Sequence, residues 1–355
     1  MDHQPFGAFM QTSFNQLKKM FLAVKPQGEY TERDWRPFFL FAESFTIQQE
    51  TLERFYALAA EISPSVHPVL PPDNEIFSIK RNFFSTLFIT VIRQILPETS
   101  NIHLYAFMNQ GMRAWVTGCD NILDDEYKPI FDFLTIRGDR MRSVLTIMLA
   151  ERVIQTYLLQ SALPVETATT VIRTTYKALL PSAMQEGTEE ARPVPVLPPD
   201  EIMERIHTPK TADLFAAPLY LPIQLESPPA ELQHHANAGL RAFGLACQVL
   251  DDIRDFNLDL AQGRHNLACS VLADHYGQKL VHSLRQDPPG EPLACQFPDI
   301  LPHILARADS YFEEAFHHFN QIGWELTPMA GEVIKRTIFH LLKLPELSGN
   351  VPSST

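Results

Sequence analysis

Residues Gly239–Asp255 have the sequence GLRAFGLACQVLDDIRD, an apolar helical pattern that ends in three aspartates. Asp251 and Asp255 are four residues apart, which places both on one face of a helix, with Asp252 alongside. Like charges at this spacing destabilise a helix, and the dipole at a helix C-terminus also disfavours anions. The cluster therefore predicts a compensating cation, and carboxylate oxygens are the ligands that Mg²⁺ prefers.

A second acidic cluster repeats this arrangement earlier in the chain. Cys119–Glu126 has the sequence CDNILDDE and ends a helical pattern that begins near His103, with Asp120 and Asp124 four residues apart. Either cluster alone could be a solvated acidic turn. Because both follow apolar helices and are flanked by apolar residues, we expect both to lie close to the core and to bind Mg²⁺.

The rest of the chain predicts an all-α protein. Apolar residues recur at three- and four-residue spacing, with almost no sustained strand alternation. Together with the proline-rich breaks, this pattern predicts one large helical domain over residues 1–344 and a disordered tail over 345–355. Helical patterns of this kind cover residues 103–125, 139–160, 165–180, 231–256 and 300–320.

Composition excludes several classes of function. The net charge of −13 excludes a nucleic-acid partner, which would require a basic surface. Four cysteines without a CxxC pair argue against a zinc site and against a disulfide framework. The N-terminus lacks the pattern of a signal peptide, and the most apolar run, Phe83–Ile92, is too short to span a bilayer. We therefore expect a cytoplasmic protein.

These motifs resemble those of the trans-prenyl diphosphate synthases and their class I terpene synthase relatives. The clearest match joins Lys210–Phe215 (KTADLF), the stretch Gly239–Asp255 and Asp259–Leu267 (DLAQGRHNL), in the family's order and spacing. The resemblance covers roughly residues 75–275. It implies a single bundle of antiparallel helices around a deep apolar cavity, and it makes a homodimer an expectation.

Two further elements of the family pattern are matched less completely. The first aspartate-rich motif corresponds to Asp120, Asn121 and Asp124, with asparagine in place of the second aspartate. The Lys80-Arg81 pair resembles the family's G-K-R element, although a solvated turn beside a buried helix would have the same sequence.

The resemblance implies a site residue by residue. The implied Mg²⁺ ligands are Asp120, Asp124, Asp251, Asp252 and Asp255. The implied substrate-binding residues are Lys80, Arg81, Arg113, Trp115, Lys210, Thr211, Gln248 and Arg264. Lys210 and Arg264 are expected to bind the diphosphate of an allylic prenyl substrate. Trp115 is expected to limit the depth of the cavity, unless it is an ordinary core aromatic.

The positions that bind a second diphosphate in the chain-elongating enzymes depart from the pattern. Phe83 stands where the family has a second arginine, Arg113 falls in the register of a histidine, and no Arg-Arg pair follows Asp124. A site without guanidinium donors binds diphosphate poorly, because charge-assisted hydrogen bonds contribute about 1.5–3 kcal/mol each. The sequence therefore predicts a terpene synthase, which ionises one prenyl diphosphate with Mg²⁺ and then cyclises or deprotonates it.

Three alternatives remain open. A chain-elongating synthase would need a rearranged second site, for which Lys80, Arg81 and Arg113 are the available residues. A non-catalytic paralogue is opposed by the retained aspartates. A di-iron carboxylate protein is suggested by His234 and His317, each of which lies three residues after a glutamate, as in paired Glu-x-x-His motifs.

Overall fold

The protein is described by a computed structural model, in which helix predominates, as the periodicity predicts. The residues that the structure describes are 15, 17–19, 21, 31–64, 66–68, 77–124, 127–133, 135–161, 163–189, 194–288, 290–344 and 347. The predicted disordered tail lies outside them, apart from Leu347, which is buried. None of the described helices combines the length and the hydropathy that crossing a membrane requires.

Most of the described chain consists of helices. They are α1 (Glu32–Ile62), α2 (Ile79–Ile95), α3 (Ile102–Leu123), α4 (Asp139–Gln160), α5 (Val165–Glu189), α6 (Pro199–Ile202), a π-helix (Met203–Ala212), α7 (Asp213–Glu226), α8 (Ala230–Arg254), α9 (Phe256–Gln262), α10 (Leu267–Tyr276), α11 (Gln278–Gln286), α12 (Leu293–Gln296), α13 (Leu301–Gln321) and α14 (Pro328–Leu341). Two short strands, β1 (Val66–Pro68) and β2 (Phe131–Phe133), pair antiparallel.

The chain divides into two compact units, each discontinuous in sequence. The first consists of Met1–Met20, Trp35–Lys177 and Pro218–Pro229, and the second of Phe21–Asp34, Ala178–Ala217 and Ala230–Thr355, in their described parts. The first acidic cluster belongs to the first unit and the second cluster to the second. The single bundle around an apolar cavity stays a prediction.

The first unit has an aromatic core under the first acidic cluster. Phe55 stacks on Phe131, with ring centroids 5.6 Å apart, and the two are part of a buried cluster. Helices α3 and α4 approach closely because α3 has glycines at the contact. A Cβ atom on Gly118 would lie 2.6 Å from the side chain of Ile147. This close packing fixes the last turns of α3, where the acidic residues lie.

The second unit is built around α8, which packs mainly against α13 and the π-helix. Two glycines permit these contacts. A Cβ atom on Gly239 would lie 2.7 Å from the ring of Phe319, and one on Gly244 would lie 2.8 Å from the ring of Phe215. The glycines in the quoted stretch of sequence are therefore required by packing, and they hold the helix whose C-terminal turn carries the second cluster.

Candidate active site

The last turn of α8 presents two aspartates to solvent. The side chains of Asp251 and Asp255 are 37% and 30% exposed. Arg254, between them in sequence, binds both: its Nη2 lies 2.6 Å from Asp251 Oδ1, and its Nε donates to Asp255 Oδ1 at 2.8 Å. The two carboxylates share a face, as their spacing predicts, and an arginine of the same turn compensates their charge.

Asp252, the middle aspartate of this cluster, faces the interior and is only 1% exposed. Its Oδ1 accepts a hydrogen bond from Gln248 Nε2 at 2.7 Å. Its Oδ2 accepts one from the backbone N–H of Leu267 at 2.5 Å and lies 2.8 Å from His207 Nε2. Consecutive helical residues point in different directions, so Asp252 cannot share the exposed face of its neighbours. This geometry favours a positioning role over the predicted role as a Mg²⁺ ligand.

The partners of Asp252 extend into the π-helix, a rare element that is frequently found at functional sites. Thr211 Oγ1 donates to Gln248 Oε1 at 2.5 Å, which fixes the amide that binds Asp252. His207 is buried, and its Nδ1 has no hydrogen-bond partner among the residues that the structure describes. The predicted residues Thr211 and Gln248 therefore belong to a network that orients the second cluster.

The element DLAQGRHNL spans the last turn of α9, the turn that follows it and the start of α10. Gly263 has a positive φ of 68° and caps α9, a conformation that glycine adopts without strain. Asn266 caps α10, and its Nδ2 donates both to the Asp252 carbonyl oxygen at 2.8 Å and to Asp259 Oδ2 at 2.9 Å. Burial raises the pKa of Asp259 to about 7, although the hydrogen bond from Asn266 acts to lower it.

The two predicted diphosphate-binding cations lie in the second unit. Lys210, at the C-terminal end of the π-helix, has its Nζ 3.0 Å from Glu186 Oε1. Ser182 Oγ donates to the Lys210 carbonyl oxygen at 2.7 Å, which helps to fix the backbone there. Arg264 is half-buried, and its backbone N–H donates to the Asp259 carbonyl oxygen at 2.8 Å.

The first acidic cluster ends α3 in the first unit. Asp120 and Asp124 are half-buried and joined by a backbone hydrogen bond of 2.8 Å. The side chain of Asn121 is buried, accepts from the Lys128 N–H at 2.8 Å and donates to the Lys128 carbonyl oxygen at 3.1 Å. A carboxylate could not make the second bond. This asparagine therefore fixes the loop after the helix.

The basic residues of the first unit lie beside one another. Arg113 donates from Nη1 to Asn82 Oδ1 and from Nη2 to the Arg81 carbonyl oxygen, both at 2.8 Å. Burial lowers the pKa of Arg113 to about 10. Lys80 is exposed one residue earlier. Phe83, in contrast, is 1% exposed and packs in the core.

Two comparisons with solved structures identify the fold. A geranylgeranyl pyrophosphate synthetase from the archaeon Geoglobus acetivorans matches 83% of this chain and 98% of its own, with 13% identity and a TM-score of 0.51. A geranylgeranyl pyrophosphate synthase from Lactobacillus brevis matches 88% of this chain and 100% of its own, with 18% identity and a TM-score of 0.50. The chain has the isoprenyl diphosphate synthase fold. No protein-family model matches the sequence, and neither does any curated protein.

The donor sets of the two acidic clusters fit Mg²⁺. Each cluster offers partly exposed carboxylates at helical spacing, the hard ligands that Mg²⁺ prefers. In the second cluster a guanidinium already occupies the position of a cation between Asp251 and Asp255. Among the residues that the structure describes, no three acidic, histidine or cysteine side chains converge to hold a metal ion.

The two histidines of the di-iron alternative, His234 and His317, each contact a neighbouring histidine. The rings of His234 and His235 lie 5.2 Å apart, and His235 Nδ1 lies 2.8 Å from His318 Nδ1. Within the described residues neither His234 nor His317 forms an ion pair with a glutamate. Neither Glu-x-x-His motif is therefore assembled as a carboxylate–histidine pair.

Sequence reasoning missed three residues of this isoprenyl diphosphate synthase fold that support the second cluster. His207, Arg254 and Asn266 each bind an aspartate of the cluster or its backbone. Arg254 had a local signal, because a basic residue between two acidic ones on a helix can pair with both. His207 is 45 residues from its partner in sequence, and no local pattern could have indicated the contact.

Proposed function

We propose that this chain is a Mg²⁺-dependent enzyme that ionises an allylic prenyl diphosphate. The observation that carries the proposal is the pair Asp251 and Asp255, which share a partly exposed face and hold a cationic group in a protein of this fold. Asp120 and Asp124 offer a second pair. We infer that these four aspartates bind Mg²⁺ and that Asp252 positions the second pair. Bound Mg²⁺ would supply positive charge to the departing diphosphate.

The chain's own residues would complete the ionisation site. Lys210 and Arg264 are proposed to bind the diphosphate and to stabilise the negative charge that develops as the C–O bond breaks. Lys210 would exchange its partner Glu186 for the substrate, since a partly exposed ion pair of this kind is worth little. Apolar walls would exclude water from the allylic cation, and we propose that Trp115 contributes to them.

The allylic cation could then be used for chain elongation or for cyclisation. The sequence predicts cyclisation, but the comparisons support chain elongation better. Both solved structures above are geranylgeranyl pyrophosphate synthases by name. Lys80, Arg81 and Arg113 lie together without an acidic partner among the described residues, and they are the candidates for binding isopentenyl diphosphate. Its double bond would attack the allylic carbon, and loss of a proton would give a prenyl diphosphate five carbons longer.

Cyclisation or elimination from a single substrate remains the second candidate, and one observation favours it. Phe83 occupies the core where elongating enzymes have a cation, and Arg113 already donates to two protein acceptors. If these bonds are retained with substrate present, little is left to bind a second diphosphate.

Product analysis separates the two candidates. The protein is incubated with Mg²⁺ and geranyl, farnesyl or geranylgeranyl diphosphate, each with and without isopentenyl diphosphate. Elongation predicts a longer diphosphate that forms with isopentenyl diphosphate and that is reduced by Arg113→Gln. A hydrocarbon or alcohol formed equally well without isopentenyl diphosphate would establish the second candidate instead. Arg307→Gln is the matched control, because Arg307 forms an exposed pair with Asp200.

We also propose that the protein is a homodimer. In the first unit, α4 exposes Met141, Val144 and Met148, which lie along one stripe and are 54%, 38% and 59% exposed. A second copy of the chain would cover this apolar stripe. Sedimentation equilibrium tests the proposal: a monomer at micromolar concentration would contradict it. The cytoplasmic location expected from the sequence remains a prediction.

A further inference from the structure

The guanidinium of Arg254 occupies the position between the two exposed aspartates of the second cluster. It makes a two-pronged contact with Asp255, through Nε at 2.8 Å and Nη2 at 2.5 Å, and it reaches Asp251 Oδ1 at 2.6 Å. A cation bound by both carboxylates would need the same oxygens. The arginine and a metal ion therefore compete for one site.

A cavity beside this turn offers the side chain of Arg254 a second position. The cavity has a volume of about 260 Å³, and Arg254 lines it together with Phe256, Asn257, Leu293 and Lys343. Its walls belong to the second unit only. Because Arg254 forms part of the cavity wall, rotations about its side-chain bonds would be enough to carry the guanidinium from the aspartates towards the cavity.

Asn257, in the wall of this cavity, has an amide oxygen without a donor among the described residues. Asn257 Nδ2 donates to the Glu291 carbonyl oxygen at 2.8 Å, which sets the orientation of the amide. The other amide atom, Oδ1, is buried and has no hydrogen-bond partner within the part of the chain that the structure describes. A buried unpaired acceptor costs free energy, and a guanidinium in the cavity would satisfy it if the amide turned towards the cavity. Lys343 is exposed, so water screens its repulsion of the incoming charge.

We propose that Arg254 is a built-in competitor for the metal of the second cluster, and that metal binding moves its guanidinium from Asp251 and Asp255 towards Asn257 Oδ1. The inference rests on the proposed function, since it takes the metal site as given. The exchange would raise the metal concentration that the cluster needs. At low metal concentration Arg254 stays bound to the two aspartates, and at higher concentration the metal ion replaces it.

Direct measurement of metal binding tests the proposal without any substrate. Mn²⁺ replaces Mg²⁺, and electron paramagnetic resonance measures its free concentration in a titration of the full chain. Removing a competing charge that forms two partly exposed ion pairs should lower the Mn²⁺ dissociation constant roughly tenfold in Arg254→Gln. Arg307→Gln removes the same charge from an exposed pair with Asp200 and should leave the constant unchanged.

A second variant distinguishes displacement into the cavity from a simple change of charge. Asn257→Ala removes the receiving acceptor and should raise the Mn²⁺ dissociation constant severalfold, the direction opposite to that of Arg254→Gln. Unchanged binding in either variant, or equal effects of Arg254→Gln and Arg307→Gln, would overturn the proposal. Asp251→Asn reports on the proposed function separately. If Asp251→Asn, as the single change in the chain, does not reduce Mn²⁺ binding, the second cluster does not bind the metal and the proposed function is wrong.

Discussion

Replacing Asp252 by alanine separates a positioning residue from a metal ligand within one cluster. The carboxylate is 1% exposed and serves three donors: Gln248 Nε2, the Leu267 N–H and His207 Nε2. Water cannot replace it, and each buried donor left unpaired costs about 1–3 kcal/mol. Three such donors, each near the lower end of this range, would together cost about 3–5 kcal/mol. We expect Asp252→Ala to lose about 3–5 kcal/mol of unfolding free energy.

Urea unfolding followed by circular dichroism measures the loss, and Asp255→Ala is the matched control. Asp255 is partly exposed and pairs with a partly exposed arginine, so its removal should cost at most about 1 kcal/mol. At urea concentrations well below the unfolding midpoint, where the protein is folded, Asp252→Ala should retain most of its Mn²⁺ binding. Asp255→Ala should lose most of it under the same conditions. An Asp252→Ala protein as stable as the parent but unable to bind Mn²⁺ would refute this assignment and restore Asp252 as a ligand.

Three further predictions concern the first unit. Asp120→Ala should reduce turnover about 100-fold or more, as expected when a group that stabilises developing charge is lost. Its far-ultraviolet circular dichroism spectrum should be unchanged. Near-normal turnover would show that the first cluster takes no part in the mechanism. Partial burial acts to raise the pKa of Glu226, but hydrogen bonds from three side chains outweigh it and hold the pKa below its ordinary value. Glu226 therefore stabilises the fold above its unfolded-state pKa, and this contribution should disappear as the pH falls through its folded-state pKa. Glu226→Gln should make the free energy of unfolding depend less on pH in that acidic range. The same pH dependence in the parent and the variant would contradict the prediction. Trp115→Ala, in a residue packed against the aromatic core, should cost about 3 kcal/mol, near the lower end for truncated aromatics. A shift towards a longer prenyl substrate would confirm its role in cavity depth, and a loss of stability alone would identify it as a core residue.

The sequence predicts the helices well because burial imposes a period of 3.6 residues on each of them. The pattern over residues 231–256 corresponds to α8 at Ala230–Arg254, and the pattern over 139–160 to α4 at Asp139–Gln160. The shared face of Asp251 and Asp255 follows from their spacing by the same geometry.

What the sequence could not indicate depends on contacts between distant segments. Asp252 looks like a third ligand in a linear motif, and its inward position depends on partners from other segments, among them His207, 45 residues away. The π-helix at Met203–Ala212 has no periodic signature, since it arises from a local shift of hydrogen bonding. Burial of the guanidinium of Arg113 likewise depends on how α2 and α3 pack.

The most direct test of the account is release of inorganic diphosphate from an allylic prenyl diphosphate. Geranyl, farnesyl and geranylgeranyl diphosphate are each incubated with the protein and isopentenyl diphosphate, and released diphosphate is measured by a coupled phosphate assay. The account predicts release from at least one substrate that requires Mg²⁺, stops with EDTA and falls about 100-fold or more in Asp251→Asn. Release that persists unchanged in EDTA, or in Asp251→Asn, would contradict metal-assisted ionisation at the second cluster.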